Sequence, residues 1–335
     1  MSLEPPALAP RPGPGRGQDP DCSVIIVNYH SEAALHGCLE SLPASAHPLA
    51  LEVIVVDNSG TARASGALDL FPGVRLLETG VNGGFARACN LGMAAARGRH
   101  LLLLNPDTVA HPGAVATLAG HLDAHPQVGV AAARLLDPDG TLQYSCRRFP
   151  RPLSIFFGRY ALLTRLLPGN RFSREYLYLD FDHAAAREVD WVAGACLMAR
   201  REVLARVGPL DDGYFLFVED MDWCRRIRDA RYAVVYVPEA VVTHRIGVSR
   251  GPAPARVVWE RHRSMLRYVH KHFTWSWPLV ALAGGGLMAR AAILVLAGWL
   301  RPQAATRRGQ APAAAGSPAP VGLEPTALRT AGPSA

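Results

Sequence analysis

Short, nearly uninterrupted apolar runs separated by amphipathic stretches set the rhythm of the first half of the chain. Ser23-Val24-Ile25-Ile26-Val27 and Glu52-Val53-Ile54-Val55-Val56 are β-branched runs with polar flanks, and 74–77 and 101–104 repeat the pattern; such runs read as buried strands. Between them Leu35, Cys38, Leu39 and Leu42 recur at helical spacing with Ser31 available as an N-cap, and Phe85, Ala88, Cys89, Gly92, Met93 and Ala96 make a second helical stripe. Val115, Leu118, Ala119 and Leu122 predict a further helix, followed by a strand at 128–132. Strands that are apolar on both faces and alternate with helices predict an α/β fold, a mainly parallel sheet covered by helices on both faces.

The pattern loosens at 137–189, which is rich in Arg, Phe and Tyr and reads as long functional loops. It resumes with a strand-like run at 191–198, a helix at 200–207 stopped by Gly208, a helical stripe of Met221, Cys224 and Ile227, and apolar strand residues at 233–237 and 240–242 that lead to His244. A basic stretch at 256–272 then precedes an apolar one at 277–300. That segment has the ~20 apolar residues needed to span a bilayer. Arg290 in its middle and Gly284-Gly285-Gly286 count against a span. A helical hairpin lying in the membrane interface fits better, with Arg261, Arg263, Arg267 and Lys271 suited to anionic headgroups. A helix packed on the catalytic domain is the alternative.

Composition narrows this picture. The 335 residues, 49% of them hydrophobic, suffice for one large core. The predicted organisation is a disordered tail at 1–20, a catalytic domain at 21–250, basic amphipathic and apolar helices at 251–300 and a disordered tail at 301–335. A net charge of +7 and a pI near 9.3 suit nucleic acid, an anionic membrane or phosphorylated ligands. No nucleic-acid module accompanies the basic residues, and their place beside the apolar segment favours a membrane surface. The six cysteines show no metal spacing and several fall on apolar stripes, as expected in a reducing cytoplasm, and the Pro- and Gly-rich start lacks the apolar core of a signal peptide.

Candidate chemistry gathers where apolar runs stop, the place where α/β proteins bind ligands. Asp107, in Asn105-Pro106-Asp107, could hold Mg²⁺ or Mn²⁺, which take only one or two protein carboxylates beside water and phosphate oxygens; the same residues also suit a plain turn. Glu219, Asp220 and Asp222 crowd three acids into four residues, more than helix capping requires, and like charges this close push a carboxylate towards general-base duty. His244 could ligate a metal. Asn82-Gly83-Gly84-Phe85-Ala86 precedes a helix, so its amides could approach a phosphate, whereas the absence of a Gly-x-Gly-x-x-Gly or Gly-Lys-Ser/Thr motif argues against a dinucleotide oxidoreductase or P-loop kinase.

Taken in order, Ser23-Val24-Ile25-Ile26-Val27-Asn28-Tyr29, Val55-Val56-Asp57-Asn58-Ser59, Asn82-Gly83-Gly84-Phe85-Ala86 with Asn90, Asn105-Pro106-Asp107, Trp191-Val192-Ala193-Gly194-Ala195 and Phe217-Val218-Glu219-Asp220-Met221-Asp222 resemble the family 2 inverting glycosyltransferases of GT-A fold, especially their bacterial rhamnosyltransferase-like branch. The resemblance spans 22–249. It implies that Asp57 receives a nucleobase, that Asn28, Asn58, Asn82, Gly84, Asn90 and Asn105 help bind the donor, and that Asp107, with His244, holds a divalent metal. Asp220 would be the general base, with Trp191, Gly194, Ala195, Glu219 and Asp222 bordering acceptor and sugar. Asn105 stands where many relatives carry an acid, and Arg87 and Ala88 replace a small pair common in the rhamnosyltransferase branch. The implied enzyme moves a sugar such as rhamnose from a dTDP-, UDP- or GDP-linked donor to a lipid-linked or polysaccharide acceptor for the cell envelope, at the inner face of the cell membrane. A non-catalytic nucleotide-sugar-binding scaffold is the alternative.

Overall fold

In the computed structural model, residues 19–61, 64–150, 171–245, 255–274 and 277–299 are described. The tails, the 151–170 part of the loop region and the 246–249 end of the motif series lie outside them. Strands β1 (Cys22–Asn28), β2 (Leu51–Asp57) and β3 (Val74–Glu78) pair in parallel, and β4 (His100–Leu104) joins the other side of β1. Helix α1 (Glu32–Ala46) links β1 to β2, the short α2 (Ala64–Ala67) precedes β3, and α3 (Phe85–Ala95) links β3 to β4. Because side chains alternate along a strand, Ile25, Val27, Ile54 and Val56 pack with α3 on one face, and Val24, Ile26 and Val55 pack with α1 on the other. Gly92 permits the close approach of α3, since a Cβ there would lie 2.4 Å from Ile25 Cγ2.

With α1 and α3 on opposite faces, the chain switches direction between β1 and β4, and a crevice opens at the carboxyl ends of those strands. Beyond β4 the sheet becomes mixed. Its remaining members are β5 (Thr108–Ala110), β6 (Val128–Leu136), β8 (Arg187–Glu188), β10 (Cys196–Arg200) and β11 (Ala233–His244), while β7 (Cys146–Arg147) and β9 (Trp191–Val192) form a separate ribbon. The order is β3-β2-β1-β4-β10-β6-β11-β5, with β10 antiparallel to both neighbours and β11 parallel to β6. The remaining helices are α4 (Ala114–Ala124), α5 (Arg171–Tyr176), α6 (Arg201–Val207), α7 (Glu219–Asp229), α8 (Ala255–His272) and α9 (Trp277–Trp299). These elements belong to one compact unit that runs to Gly298.

Several expectations change. The run at 191–198 is two strands broken at 193–195, and β11 is continuous through 238–239 by way of a register shift against β6. The Ser31 hydroxyl donates to Tyr29 O and leaves the start of α1 without a side-chain cap. The glycine triplet does not interrupt α9, so there is no hairpin within that segment: it is one helix, with Leu287 packed against Val269 of α8 and Gly284 against Leu266.

Candidate active site

Register creates the first half of the site. Antiparallel pairing of β5 with β11 sets His244 opposite Thr108, which brings Asp107 alongside, with His244 Nε2 3.3 Å from Asp107 Oδ1. Gln143 decides what the imidazole presents. Its Nε2 donates to His244 O at 2.6 Å and Asp137 Oδ1 at 2.7 Å, so its Oε1 accepts at 3.0 Å from His244 Nδ1. With Nδ1 engaged by Gln143, Nε2 is the nitrogen that faces the carboxylate, and it offers its lone pair there when the imidazole is neutral. Two lone-pair donors facing each other fit a divalent cation of the Mg²⁺ or Mn²⁺ kind. Among the described residues no group of three or more His, Cys, Asp or Glu is placed to hold a metal, so water and ligand oxygens would complete such a shell. Asn105 contributes its backbone: its N–H donates to Ala195 O at 2.9 Å and its carbonyl accepts from the Thr108 hydroxyl at 2.7 Å.

The second half arises at the break between β9 and β10. The Gly194 N–H donates to Asp220 Oδ2 at 2.9 Å and the Met221 N–H to Asp220 Oδ1 at 2.8 Å. Gly194 therefore holds one acid while its neighbour Ala195 holds the Asn105 turn. Phe217 and Val218 both adopt left-handed backbone, φ 65° and 74°, immediately before α7; for a β-branched residue that is uncommon, and such strain persists only where surrounding structure enforces it. It aims the first turn of α7 at the cleft. Burial pushes the Asp220 carboxyl above the usual carboxylate range, and burial together with the Asp220 charge raises Glu219 further still. Glu219 Oε2 is buried without a partner, as a neutral carboxyl tolerates better than a charge.

Asp222 corrects the expectation that it borders the acceptor. It is fully buried on the other side of α7, bonded to Arg226 Nε at 2.9 Å, Lys271 Nζ at 2.9 Å and His272 Nε2 at 2.7 Å, with the Tyr214 hydroxyl at 3.3 Å. These partners hold its carboxyl far below the usual range, and they tie α7 to α8.

At the strand ends Asn28 and Asp57 are register partners. Asp57 is buried, its oxygens accepting from the N–H groups of Ser59 and Ala64. Asn58 donates to Asn82 Oδ1 and accepts from Gly83 N–H, which fixes the loop before α3. Gly84 has φ 92° and a Cβ there would meet Phe215 O at 2.6 Å, so only glycine fits. The Asn28 side-chain nitrogen is buried without a partner, a donor at the head of the crevice. Asn90 lies away from these groups, with both ends of its amide spent on the backbone of Leu210.

A cavity of about 320 Å³ brings His244 and Gln143 together with Trp191, Glu219 and Asp220. It also shows what the sequence reading missed. Arg147 lies opposite Trp191 in the β7–β9 ribbon, its guanidinium 5.2 Å from the indole centroid, and Arg261 of α8 sits 4.4 Å from the Phe217 ring centroid. No motif marks Arg147, and Arg261, expected at lipid headgroups, lines this cavity instead. Residues 23–208 match the profile of Glycosyl transferase family 2. The chain belongs to this family.

Within the family it is 31% identical, over 81% of its own length and 92% of the relative's, to N-acetylglucosaminyl-diphospho-decaprenol L-rhamnosyltransferase of Mycobacterium tuberculosis (strain ATCC 25618 / H37Rv). It is 27% identical to rhamnosyltransferase WbbL of Escherichia coli (strain K12), over 66% of this chain and 82% of that one. These relationships make the chain a glycosyltransferase of the rhamnosyltransferase branch. The GT-A fold is shared with a mannosyltransferase of Pyrobaculum calidifontis solved with GDP-Man and Mn²⁺, at TM-score 0.52 and 20% identity over 88% of this chain and 79% of that one. It is shared too with GalNAc-T7, solved with UDP, GalNAc and Mn²⁺, at TM-score 0.54 and 15% identity over 76% of this chain and 48% of that one.

Proposed function

We propose that this glycosyltransferase moves a deoxyhexose, rhamnose, from a nucleoside-diphosphate donor to a hydroxyl of a lipid-linked N-acetylglucosaminyl diphosphate, inverting the anomeric centre. The observation that carries the reading is that one cavity is lined by both His244, partner of Asp107, and Asp220. The relative whose length this chain nearly spans supports the choice of sugar and acceptor. Asp220, with a raised affinity for protons, removes the proton of the acceptor hydroxyl. The freed oxygen attacks the anomeric carbon from the face opposite the diphosphate, the bond to the diphosphate oxygen breaks, and a single displacement inverts the configuration. Asp107 and His244 would hold the divalent cation, which when bound neutralises the charge that develops on the departing diphosphate. The Asn28, Asp57 and Asn58 end of the crevice receives the nucleoside. The pairing of Asp107 with His244 and the place of Asp220 in the same cavity support this reading over a non-catalytic scaffold.

The test is direct: purified full-length protein is given dTDP-, UDP- and GDP-sugars with Mg²⁺ or Mn²⁺ and N-acetylglucosaminyl-diphospho-polyprenol, and the product is analysed by NMR. Transfer of rhamnose with inversion is expected. Transfer of another sugar, or retention, would overturn the reading.

The acceptor is confined to a membrane, and α8 and α9 suit that setting. The 278–296 stretch has a mean hydropathy of 2.1, and Leu279, Leu282, Ile293 and Leu296 are exposed, while Ala283, Leu287 and Ala291 face inward. We read the pair as a seat on the cytoplasmic face of an anionic membrane, where the apolar face of α9 inserts and the exposed Arg263 of α8 meets headgroups, whereas Arg267 and Lys271, also expected there, are paired with Asp211. Flotation with vesicles containing anionic lipid should carry the full-length protein and lose it when the chain stops before Trp275. Flotation of the truncated chain at the full-length level would place membrane contact elsewhere.

A further inference from the structure

Phe217 and Val218 hold left-handed backbone that their side chains disfavour, and no side chain caps the helix they introduce. The direction of the first turn of α7, and with it of Asp220, is therefore set by what holds the chain just before it. That chain is the irregular segment 208–216. Its beginning is gripped by the body of α7: Trp223 Nε1 donates to Gly208 O at 3.0 Å and Arg226 Nη2 to Pro209 O at 2.7 Å. The segment is a strap closed on α7, with its neck against the middle of the helix and its far end feeding the first turn.

Two polar side chains that the proposed transfer does not use fasten this strap to the rest of the molecule. From α3, Asn90 Nδ2 donates to Leu210 O at 2.8 Å while Asn90 Oδ1 accepts from Leu210 N–H at 3.0 Å. Leu210 is buried outside any helix or strand, and this one amide satisfies both its peptide groups as a ladder would elsewhere. From α8, the buried Ser264 hydroxyl donates to Leu216 O at 3.0 Å. Between these points Phe215 O accepts from Phe85 N–H at 2.8 Å, so the strap also lies on the first residue of α3. The glycine loop before α3 has ties of its own, because Asn58 donates to Asn82 Oδ1 and Gly84 O and accepts from Gly83 N–H. Loosening the strap therefore reaches Asp220 and leaves the donor end of the crevice in place.

We propose that Asn90 and Ser264 are positioning residues that act through the 208–216 strap to set Asp220 against the acceptor hydroxyl. Asn90, expected among the donor ligands, works on the acceptor side instead. This rests on the transfer reading above, with Asp220 as base, and adds which residues remote from the reacting atoms place that base.

The experiment is a double-mutant cycle on the full-length enzyme. Asn90→Ala and Ser264→Ala are each made in the wild type and in Asp220→Asn. For every variant kcat is measured at saturating donor and acceptor, and affinity for the nucleotide-sugar active in the transfer assay is measured without acceptor. In the wild-type background Asn90→Ala should lower kcat by roughly ten- to a hundredfold and Ser264→Ala by about three- to tenfold, the scale on which a displaced catalytic group loses rate. Nucleotide-sugar affinity should stay within about threefold, since only a step after binding is touched. In the Asp220→Asn background, where no base is left to place, neither should cost more than about twofold. Asn90→Asp keeps an acceptor for Leu210 N–H and loses the donor to Leu210 O, so it should fall between Asn90→Ala and wild type.

Equal losses in both backgrounds would overturn the proposal and leave Asn90 and Ser264 with a structural role. So would a loss of nucleotide-sugar affinity as large as the loss of kcat, which would return Asn90 to the donor. If Asn90→Ala fails to fold, Ser264→Ala, the removal of one hydroxyl from a helix, decides by the same cycle. Wild-type turnover by Asp220→Asn would overturn the functional reading and the proposal with it, whereas a slow Asp220→Asn enzyme that the second substitution slows by its full factor would overturn the proposal alone.

Discussion

Asp220 and Asp222 are two residues apart on one helix and have opposite electrostatic fates. Asp220 lies on the cleft face of α7, where backbone N–H groups hold it and burial raises its proton affinity. Asp222 lies on the α8 face, where Arg226, Lys271 and His272 surround it and depress its proton affinity. A turn of a helix rotates neighbouring side chains by about 100° each, so a two-residue step is enough to move an acid from a reactive surface to a packing one. The same residue type in the same acidic cluster becomes a base in one place and a fastener in the other. Cation partners make the difference: a carboxylate with several stays ionised and inert, one with few becomes a proton acceptor.

The largest expected effect separates the two by activity. Asp220→Asn should lower transfer by about 10² to 10⁴, the usual contribution of a general base, while donor affinity stays within a few fold and the melting temperature barely moves. Near wild-type turnover would remove Asp220 from the base role.

Asp222→Ala should do the reverse. Removing one member of a buried ion cluster leaves the others uncompensated and costs about 3–5 kcal/mol, read as a lower urea midpoint at unchanged slope. A variant as stable as wild type would mean that α7 and α8 do not depend on this cluster.

Acid titration sharpens the contrast without mutation. Asp220 must be deprotonated to act, and its folded value is raised, so transfer should fall with decreasing pH at a midpoint above the ordinary aspartate value of about 3.9. Asp222 has a depressed folded value, so its contribution to stability is full above that unfolded value and is lost only as pH drops below about 4, where the unfolded chain binds the extra proton. Activity should therefore disappear while the protein is still folded. Loss of both together, monitored by circular dichroism and a transfer assay on the same samples, would erase the distinction.

A smaller effect is expected at Gln143, which touches His244 from behind. Gln143→Leu should weaken Mn²⁺ binding, measured by electron paramagnetic resonance without substrates, by roughly 10- to 100-fold, as for other residues that orient a metal-binding imidazole. Unchanged Mn²⁺ affinity would show that His244 needs no such orientation.

How much of this could be read in the chain differs by element. Strands β1, β2 and β4 and helices α1, α3 and α4 were legible because buried faces impose a strict apolar period. The strand β5 was not, being three residues beside a proline-containing turn, and yet it delivers Asp107 to His244. The break at 193–195 was hidden inside a continuous apolar run, since the hydrogen bonds that interrupt it come from Asp220 and Asn105, both remote in sequence. Arg147 was invisible because an arginine in a loop region carries no local signal, and Arg261 was read only as part of a basic helix, since nothing local tells which face of that helix meets the cavity.

By itself, then, the sequence determined the α/β sheet, the ordered motifs that carry the family resemblance and the positions of the acids, because these arise from local periodicity and residue chemistry. Only the tertiary structure decided that Asp107 meets His244, that Asp220 faces the cleft while Asp222 faces α8, and that two arginines share a wall with the base. Each of those depends on strand register, a helix's rotation and the packing of distant segments, which are settled by contacts that no local stretch of sequence contains.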